Sequence, residues 1–245
     1  MNHAQLVSFA TRLSNGGFLV LRFTCKGLNI KYRSKVYLTV LKFLYSYKTP
    51  TVQGCFLAGR SMGSRAAVMA ANMTLTTELE SFVQGVVCLA YPLHTPQKSG
   101  ELRDGPLKTM RHPCLFLSGS RDEMAQEHRL RQVIDKHMST EANLHVIDGA
   151  NHSYKVAGIR ADVTLEEVGD KFLAWCLHKI SCEIATRDGV KTPHTTLRGG
   201  VSNKSVVETG ISEGKEQFKT RPVRTRRLSR DVVGRGRARK RRKVE

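Results

Sequence analysis

One short stretch, residues 59–63, constrains the fold of this chain more than any other. It reads Gly-Arg-Ser-Met-Gly and so fits the pattern Gly-x-Ser-x-Gly. Apolar residues 55–58 precede it, and an Ala- and Met-rich segment, residues 62–73, follows. A buried strand that turns sharply into a helix raises a serine hydroxyl above the edge of a sheet. Gly59 and Gly63 are expected to let the strand and the helix approach each other closely.

The remaining chain alternates between apolar runs and segments with helical spacing of apolar residues. The run at residues 18–24 is nearly continuous and predicts a strand buried on both faces. Alternating strands and helices predict a mostly parallel sheet with helices on both faces. The further predicted strands are residues 55–58, 83–90, 114–118 and 144–147, and the predicted helices are residues 4–13, 36–44, 62–73, 128–137 and 165–180.

Ser61, the central residue of the motif, is the candidate nucleophile. In folds with this strand–turn–helix arrangement, an acid and then a histidine follow the serine in chain order. Asp122 comes just after the strand at residues 114–118, at the edge where such sheets place their sites. Glu123 is an available substitute. The alternative interpretations are a serine and an aspartate that only cap the helices after them.

His152 is the candidate base, since it follows the strand at residues 144–147 and comes 30 residues after Asp122. A histidine in such a loop is otherwise an ordinary surface residue, and His94 is the only other histidine at a strand end. In the predicted mechanism, His152 takes the proton of Ser61 and Asp122 stabilises the resulting imidazolium. The backbone N–H of Met62 would supply one oxyanion donor.

The charge of the chain is concentrated at its C-terminal end. The net charge is +19, and residues 182–245 carry 18 of the 40 Lys and Arg residues against 7 of the 21 Asp and Glu residues. Sparse apolar residues predict disorder over residues 186–245. Residues 239–244, Arg-Lys-Arg-Arg-Lys-Val, are a candidate nuclear import signal, and such runs also bind nucleic acid through phosphates. A solvated extension without function is the alternative.

The cysteines argue against a metal site and against secretion. None of the six forms a Cys-x-x-Cys pair, so we expect no metal, and the predicted chemistry requires no cofactor. They are interpreted as buried, reduced thiols of an intracellular protein, either cytoplasmic or nuclear. No apolar stretch approaches the ~20 residues of a membrane span, and the N-terminus lacks a secretion signal.

Five motifs together resemble one family. They are residues 21–29, 59–65, 91–94, 118–124 and 150–153. The chain is similar over about residues 1–180 to the testis-expressed protein 30 family and to its relative, the third subunit of the non-specific lethal histone acetyltransferase complex. This resemblance implies an α/β-hydrolase domain akin to dienelactone hydrolases. The chromatin-associated relative leaves a non-catalytic role open.

The resemblance also implies an absence. Family members begin with further strands and a His-Gly loop, whose N–H would be a second oxyanion donor. We therefore expect a fragment, an alternative product or an incomplete gene model. Residues 1–181 would form a partial, N-terminally truncated α/β-hydrolase-like domain, and residues 182–245 a basic disordered tail. Poor activity is expected, because losing one oxyanion donor costs about 10²–10³ in rate.

Two functions remain in competition. The first is a serine hydrolase acting on a small ester, thioester, lactone or peptide bond. The second is a silent hydrolase-fold module that binds a protein partner, with nucleic acid contacted only through the tail and no membrane. Arg60 and Arg103 would favour an acidic small-molecule substrate, although arginines at such places are more often structural.

Overall fold

The structure, a computed structural model, describes residues 3–47 and 52–187. Within these residues, helices and strands alternate along the chain from β1 onward, as the sequence predicts. The strands are β1 (Cys55–Arg60), β2 (Val83–Leu89), β3 (Cys114–Gly119) and β4 (Ala142–Ile147), and the helices are α1 (Ala4–Asn15), α2 (Ile30–Ser46), α3 (Met62–Asn72), α4 (Gly105–Lys108), α5 (Glu127–His137) and α6 (Ala161–Arg187).

The four strands form one parallel sheet in the order β1-β2-β3-β4. In register, Gly59 lies opposite Cys88 and Cys88 lies opposite Phe116. Because all strands run the same way, their carboxyl ends meet at one edge of the sheet. The loops that follow β1, β3 and β4 therefore share that edge, and these loops hold the three candidate residues.

Each face of the sheet has its own apolar core. Alternate strand residues point to opposite faces, so Val86 joins one core and Val87 the other. Helices α2, α3, α4 and α5 cover the first face, and α1 and α6 cover the second. Arg12 of α1 and Asp170 of α6 form an ion pair where these two helices meet. The predicted arrangement of a parallel sheet with helices on both faces is confirmed.

Helix α2 holds the strand that leads to the candidate nucleophile. Its N-terminus is capped by Asn29, whose side chain accepts a hydrogen bond from the Tyr32 N–H at 3.1 Å. One turn further on, the Tyr37 hydroxyl donates to the Ala58 carbonyl of β1 at 2.9 Å. Burial raises the pKa of Tyr37, so the hydroxyl remains a donor.

The predicted strand at residues 18–24 is wrong. This segment is not a strand, and its side chains alternate between contact and exposure: Phe18 packs against the second core, whereas Leu19 is 75% exposed. A ladder requires a neighbouring strand. Among the described strands, β1 is paired with β2 alone, and Phe18 meets β1 through its ring, 6.3 Å from that of Phe56, and not through a backbone ladder. The apolar composition of the segment does not show whether it is paired, because strand pairing depends on residues that are distant in the sequence.

Several boundaries also differ from the predictions. α2 begins at Ile30 rather than at residue 36, and the short α4 was not predicted. α6 covers Ala161–Arg187 rather than residues 165–180, and the domain boundary at residue 181 stays a prediction. No Gly or Pro lies within residues 182–187, so nothing in their composition interrupts the helix there. The other predictions for the tail, including the import signal, lie outside the described residues.

Half of the cysteines lie deeper than the others. Cys88, Cys114 and Cys176 are buried, as expected, whereas Cys25, Cys55 and Cys182 are only partly buried. Among the helices of residues 3–47 and 52–187, none has the length and apolarity needed to cross a membrane.

Candidate active site

The turn between β1 and α3 holds Ser61 in a strained conformation. Its φ is 52° and its ψ is −120°, a combination that non-glycine residues rarely adopt. A Cβ on Gly59 would lie 2.2 Å from the carbonyl carbon and oxygen of Gly63, whereas a Cβ on Gly63 would meet only the Tyr37 hydroxyl, at 3.5 Å. The close approach thus requires glycine at position 59. The sequence-based expectation that both glycines serve it is wrong for Gly63.

The structure brings Ser61, Asp122 and His152 together. Nε2 of His152 lies 2.9 Å from Oγ of Ser61, and Nδ1 of His152 lies 2.9 Å from both carboxylate oxygens of Asp122. The His152 side chain is 12% exposed and that of Asp122 is fully covered. A proton can therefore pass from the serine to the imidazole while the carboxylate stays shielded from water.

Asp122 is fixed by its own turn. Its N–H donates to the Gly119 carbonyl at 3.1 Å, and its Oδ1 accepts from the Met124 N–H at 2.8 Å. Glu123, the substitute considered from the sequence, is exposed. The position next to His152 is therefore occupied by Asp122.

The loop that carries His152, residues 149–155, is ordered by local hydrogen bonds. The Asn151 side chain accepts from the N–H groups of Ser153, at 2.9 Å, and Lys155, at 3.1 Å. The buried Tyr154 hydroxyl donates to the Leu117 carbonyl at 2.8 Å, and burial raises its pKa, so it stays protonated. These bonds tie the loop to β3.

Close approach to β3 also depends on Gly119, the last residue of that strand. A Cβ there would lie 2.0 Å from the Ala150 carbonyl oxygen. The loop after β4 can therefore bring His152 close to Asp122 only because position 119 lacks a side chain. This role of Gly119 is not among the predictions from the sequence, although a glycine at a strand end is a signal for it.

Two more residues hold the histidine loop from outside it. Nη2 of Arg60 donates to the His152 carbonyl and to Oγ of Ser153, each at 3.1 Å. Gln5 of α1 donates to the Ser153 carbonyl at 2.5 Å. From the sequence alone, Arg60 is expected to be a substrate contact or a structural residue, and no motif distinguishes Gln5.

The Met62 N–H is available for a developing negative charge. Met62 is the first residue of α3, and the first N–H groups of a helix have no partner inside the helix. The helix dipole adds partial positive charge at the same end. The Met62 N–H therefore stays a predicted oxyanion donor next to Ser61.

The other residues considered from the sequence lie elsewhere. Nδ1 of the buried His94 is 3.1 Å from the Thr95 carbonyl. The backbone N–H of His94 donates to the Met124 carbonyl. The Arg103 N–H donates to the Leu93 carbonyl. In the part of the chain that the structure describes, no three His, Cys, Asp or Glu side chains are grouped to hold a metal ion.

Comparison with known proteins identifies the fold. The family described as alpha/beta hydrolase domain matches residues 1–180. Among solved structures, the chain is similar to Est1E from Butyrivibrio proteoclasticus, with 18% identity, a TM-score of 0.58 and coverage of 74% of this chain and 83% of that one. A dienelactone hydrolase from Anabaena variabilis has 19% identity, a TM-score of 0.52 and coverage of 72% and 80%.

A third solved structure extends this likeness to a lipase. A monoacylglycerol lipase from Paleococcus ferrophilus has 13% identity and a TM-score of 0.56, with coverage of 72% of this chain and 90% of that one. At these identities the likeness concerns the fold alone.

Proposed function

The chain belongs to the α/β-hydrolase domain family, and from this premise we propose that it is a serine hydrolase with Ser61 as its nucleophile. Its substrate would be a small ester, thioester, lactone or peptide bond. The observation that carries the proposal is the hydrogen-bonded series Ser61–His152–Asp122, in which both contacts measure 2.9 Å.

The reaction follows from these contacts. His152 accepts the proton of the Ser61 hydroxyl as Oγ attacks the substrate carbonyl, and the bond from the carbonyl carbon to the leaving group then breaks. The leaving group takes the proton from His152. A water molecule, deprotonated by His152, next attacks the acyl-enzyme and releases the acid with Ser61 restored. Asp122 stabilises the imidazolium in both halves, and the Met62 N–H donates to the oxyanion.

Labelling with a fluorophosphonate probe tests the proposal directly. Such probes react with an activated serine, so the full-length protein should become labelled and Ser61→Ala should not. Hydrolysis of p-nitrophenyl esters of increasing acyl length, measured with the same pair of proteins, would define the preferred acyl group. A cooperative thermal transition in both proteins would show that the variant is folded.

The contrary result is equally informative. If the folded protein is neither labelled nor active on esters, thioesters or lactones, the hydrolase proposal is rejected. The chain would then be a non-catalytic module of the same fold that binds a protein partner.

We propose a narrower kinship and a cellular location from the sequence motifs. Within its family, the chain is proposed to belong with testis-expressed protein 30 and the third subunit of the non-specific lethal complex.

Residues 239–244 are proposed to direct the protein to the nucleus. A fluorescent fusion of residues 186–245 should accumulate there, and replacing the basic residues within 239–244 by Ala should abolish accumulation. An even distribution of the intact fusion would contradict this.

A further inference from the structure

Arg60 connects the strand of the nucleophile to the loop of the base. It is the last residue of β1 and is joined by a peptide bond to Ser61. Its Nη2 donates to the carbonyl of His152, whose ring in turn contacts Ser61. Backbone, guanidinium and imidazole thus close a ring of contacts that contains both reacting side chains.

The guanidinium is set into the protein rather than extended into solvent. Arg60 is partly buried, and its Nε is fully covered without a hydrogen-bond partner. A second proton of Nη2 is donated to Oγ of Ser153. Covering an unpaired N–H donor costs free energy, and a solvent-exposed arginine would not have this cost. The two hydrogen bonds from Nη2 offset it.

The charge of Arg60 does not favour proton transfer. An imidazolium forms at His152 during the proposed reaction, and a second cation beside it is electrostatically unfavourable. The benefit of Arg60 must therefore lie in the geometry of its donors. A planar guanidinium keeps its N–H groups in fixed directions, so it can hold two acceptors of one loop at a fixed spacing.

We propose that Arg60 is a positioning residue that holds the 149–155 loop so that Nε2 of His152 stays within hydrogen-bond distance of Oγ of Ser61. The inference rests on the proposed function for its catalytic consequence and on the contacts of Arg60 for its structural part. Nη2 of Arg60 is engaged with the loop through both of its contacts, so the role proposed here is positional and needs no contact with a substrate.

Arg60→Met removes the donors and keeps much of the apolar stem. A displacement of about 1 Å at a catalytic group costs on the order of 10²-fold in rate, so fluorophosphonate labelling and kcat should fall by roughly that factor. KM for a p-nitrophenyl ester should stay unchanged, because Arg60 does not touch the substrate. The labelling rate and kcat of Arg60→Lys should fall between those of the wild type and Arg60→Met, since the lysine side chain is one bond shorter and its N–H groups are not held in a plane.

Arg129→Met is the matched control. Like Arg60, Arg129 donates to a loop carbonyl, that of Ser99, but Arg129 belongs to helix α5 and lies outside the proposed site. Its loss should leave the labelling rate and kcat at wild-type values. Guanidinium ion at millimolar concentration should partly restore labelling of Arg60→Ala and should have no effect on Arg129→Met.

Hydrogen–deuterium exchange separates this inference from the proposed function. Amides of residues 149–155 should exchange faster in Arg60→Met than in the wild type, while those of the β2 and β3 strands are unchanged. Equal exchange and equal labelling would overturn the inference. If the wild-type protein is not labelled at all, the hydrolase proposal fails, and the exchange comparison still decides whether Arg60 holds the loop.

Discussion

Position 59 is closed to any side chain by Gly63, since a Cβ on Gly59 would lie 2.2 Å from the Gly63 carbonyl group. Both groups involved are backbone, so neither can rotate away. Gly59→Ala should therefore lower the free energy of unfolding by about 3 kcal/mol or more, as expected for severe overpacking. Urea denaturation followed by circular dichroism measures the effect.

Gly63→Ala is the matched comparison for this prediction. A Cβ at that position meets only the Tyr37 hydroxyl at 3.5 Å, an ordinary contact. Gly63 lies in helix α3, where alanine is preferred over glycine by roughly 0.5–1 kcal/mol. The variant should be as stable as the wild type or slightly more stable. An equal loss in both variants would show that the turn does not have the described geometry.

The strain at Ser61 predicts opposite stabilities for two inactive variants. Both Ser61→Ala and Ser61→Gly lose the hydroxyl and should not be labelled. Alanine must keep the unfavourable φ of 52°, whereas glycine adopts it freely. Ser61→Gly should therefore be more stable than Ser61→Ala by about 1 kcal/mol. Thermal melting of the two variants side by side tests this, and a more stable alanine variant would contradict it.

Neighbouring acids at positions 122 and 123 should behave differently. Asn in place of Asp122 keeps an oxygen for the Met124 N–H, but it cannot hold the imidazolium as a carboxylate does. The same change in a well-studied serine protease lowers kcat on the order of 10⁴-fold. We expect a loss of that order in ester hydrolysis for Asp122→Asn. Glu123→Gln should retain wild-type activity, since Glu123 is exposed.

His112 should make stability depend on pH. The side chain is buried, with Nε2 3.2 Å from the Thr74 hydroxyl, and burial lowers its pKa while Glu80 opposes the shift. The unfolded chain then binds more protons than the folded one as pH falls below about 6.5. Stability is full above that pH and is lost as pH falls through the folded-state value.

The measurement for His112 is the urea midpoint between mildly acidic and neutral pH. His112→Gln keeps a group that can bond Thr74 but cannot titrate in this range. The wild-type midpoint should fall toward acid more steeply than that of the variant. Parallel curves would show that another group is responsible.

The part of the site that is local in sequence could be predicted. The strand, the strained turn and the helix around Ser61 follow from one short motif whose neighbours are apolar. Asp122 and His152 followed from chain order, because parallel strands bring their carboxyl ends to one edge. The Arg60 contact with the His152 carbonyl spans 92 residues and leaves no pattern in either segment.

Features that depend on pairing or on the end of a helix were predicted less well. Residues 18–24 have the composition of a buried strand, but a strand is defined by its backbone ladder, and none of the described strands is paired with this segment. The end of α6 was misplaced because apolar periodicity stops before the helix does. The motif spacing predicts a steric role for Gly63 because spacing alone does not show which way a side chain at that position would point.

Ser61 and His152 are 91 positions apart in the chain, and this separation also has a temporal meaning. A ribosome adds about 5–20 residues per second, so the serine emerges several seconds before the histidine that activates it. Until β4 and its following loop have docked, the hydroxyl is an ordinary, weakly nucleophilic alcohol. The nascent polypeptide would therefore be chemically silent until β4 and the loop of His152 are in place, and it would acquire reactivity only then.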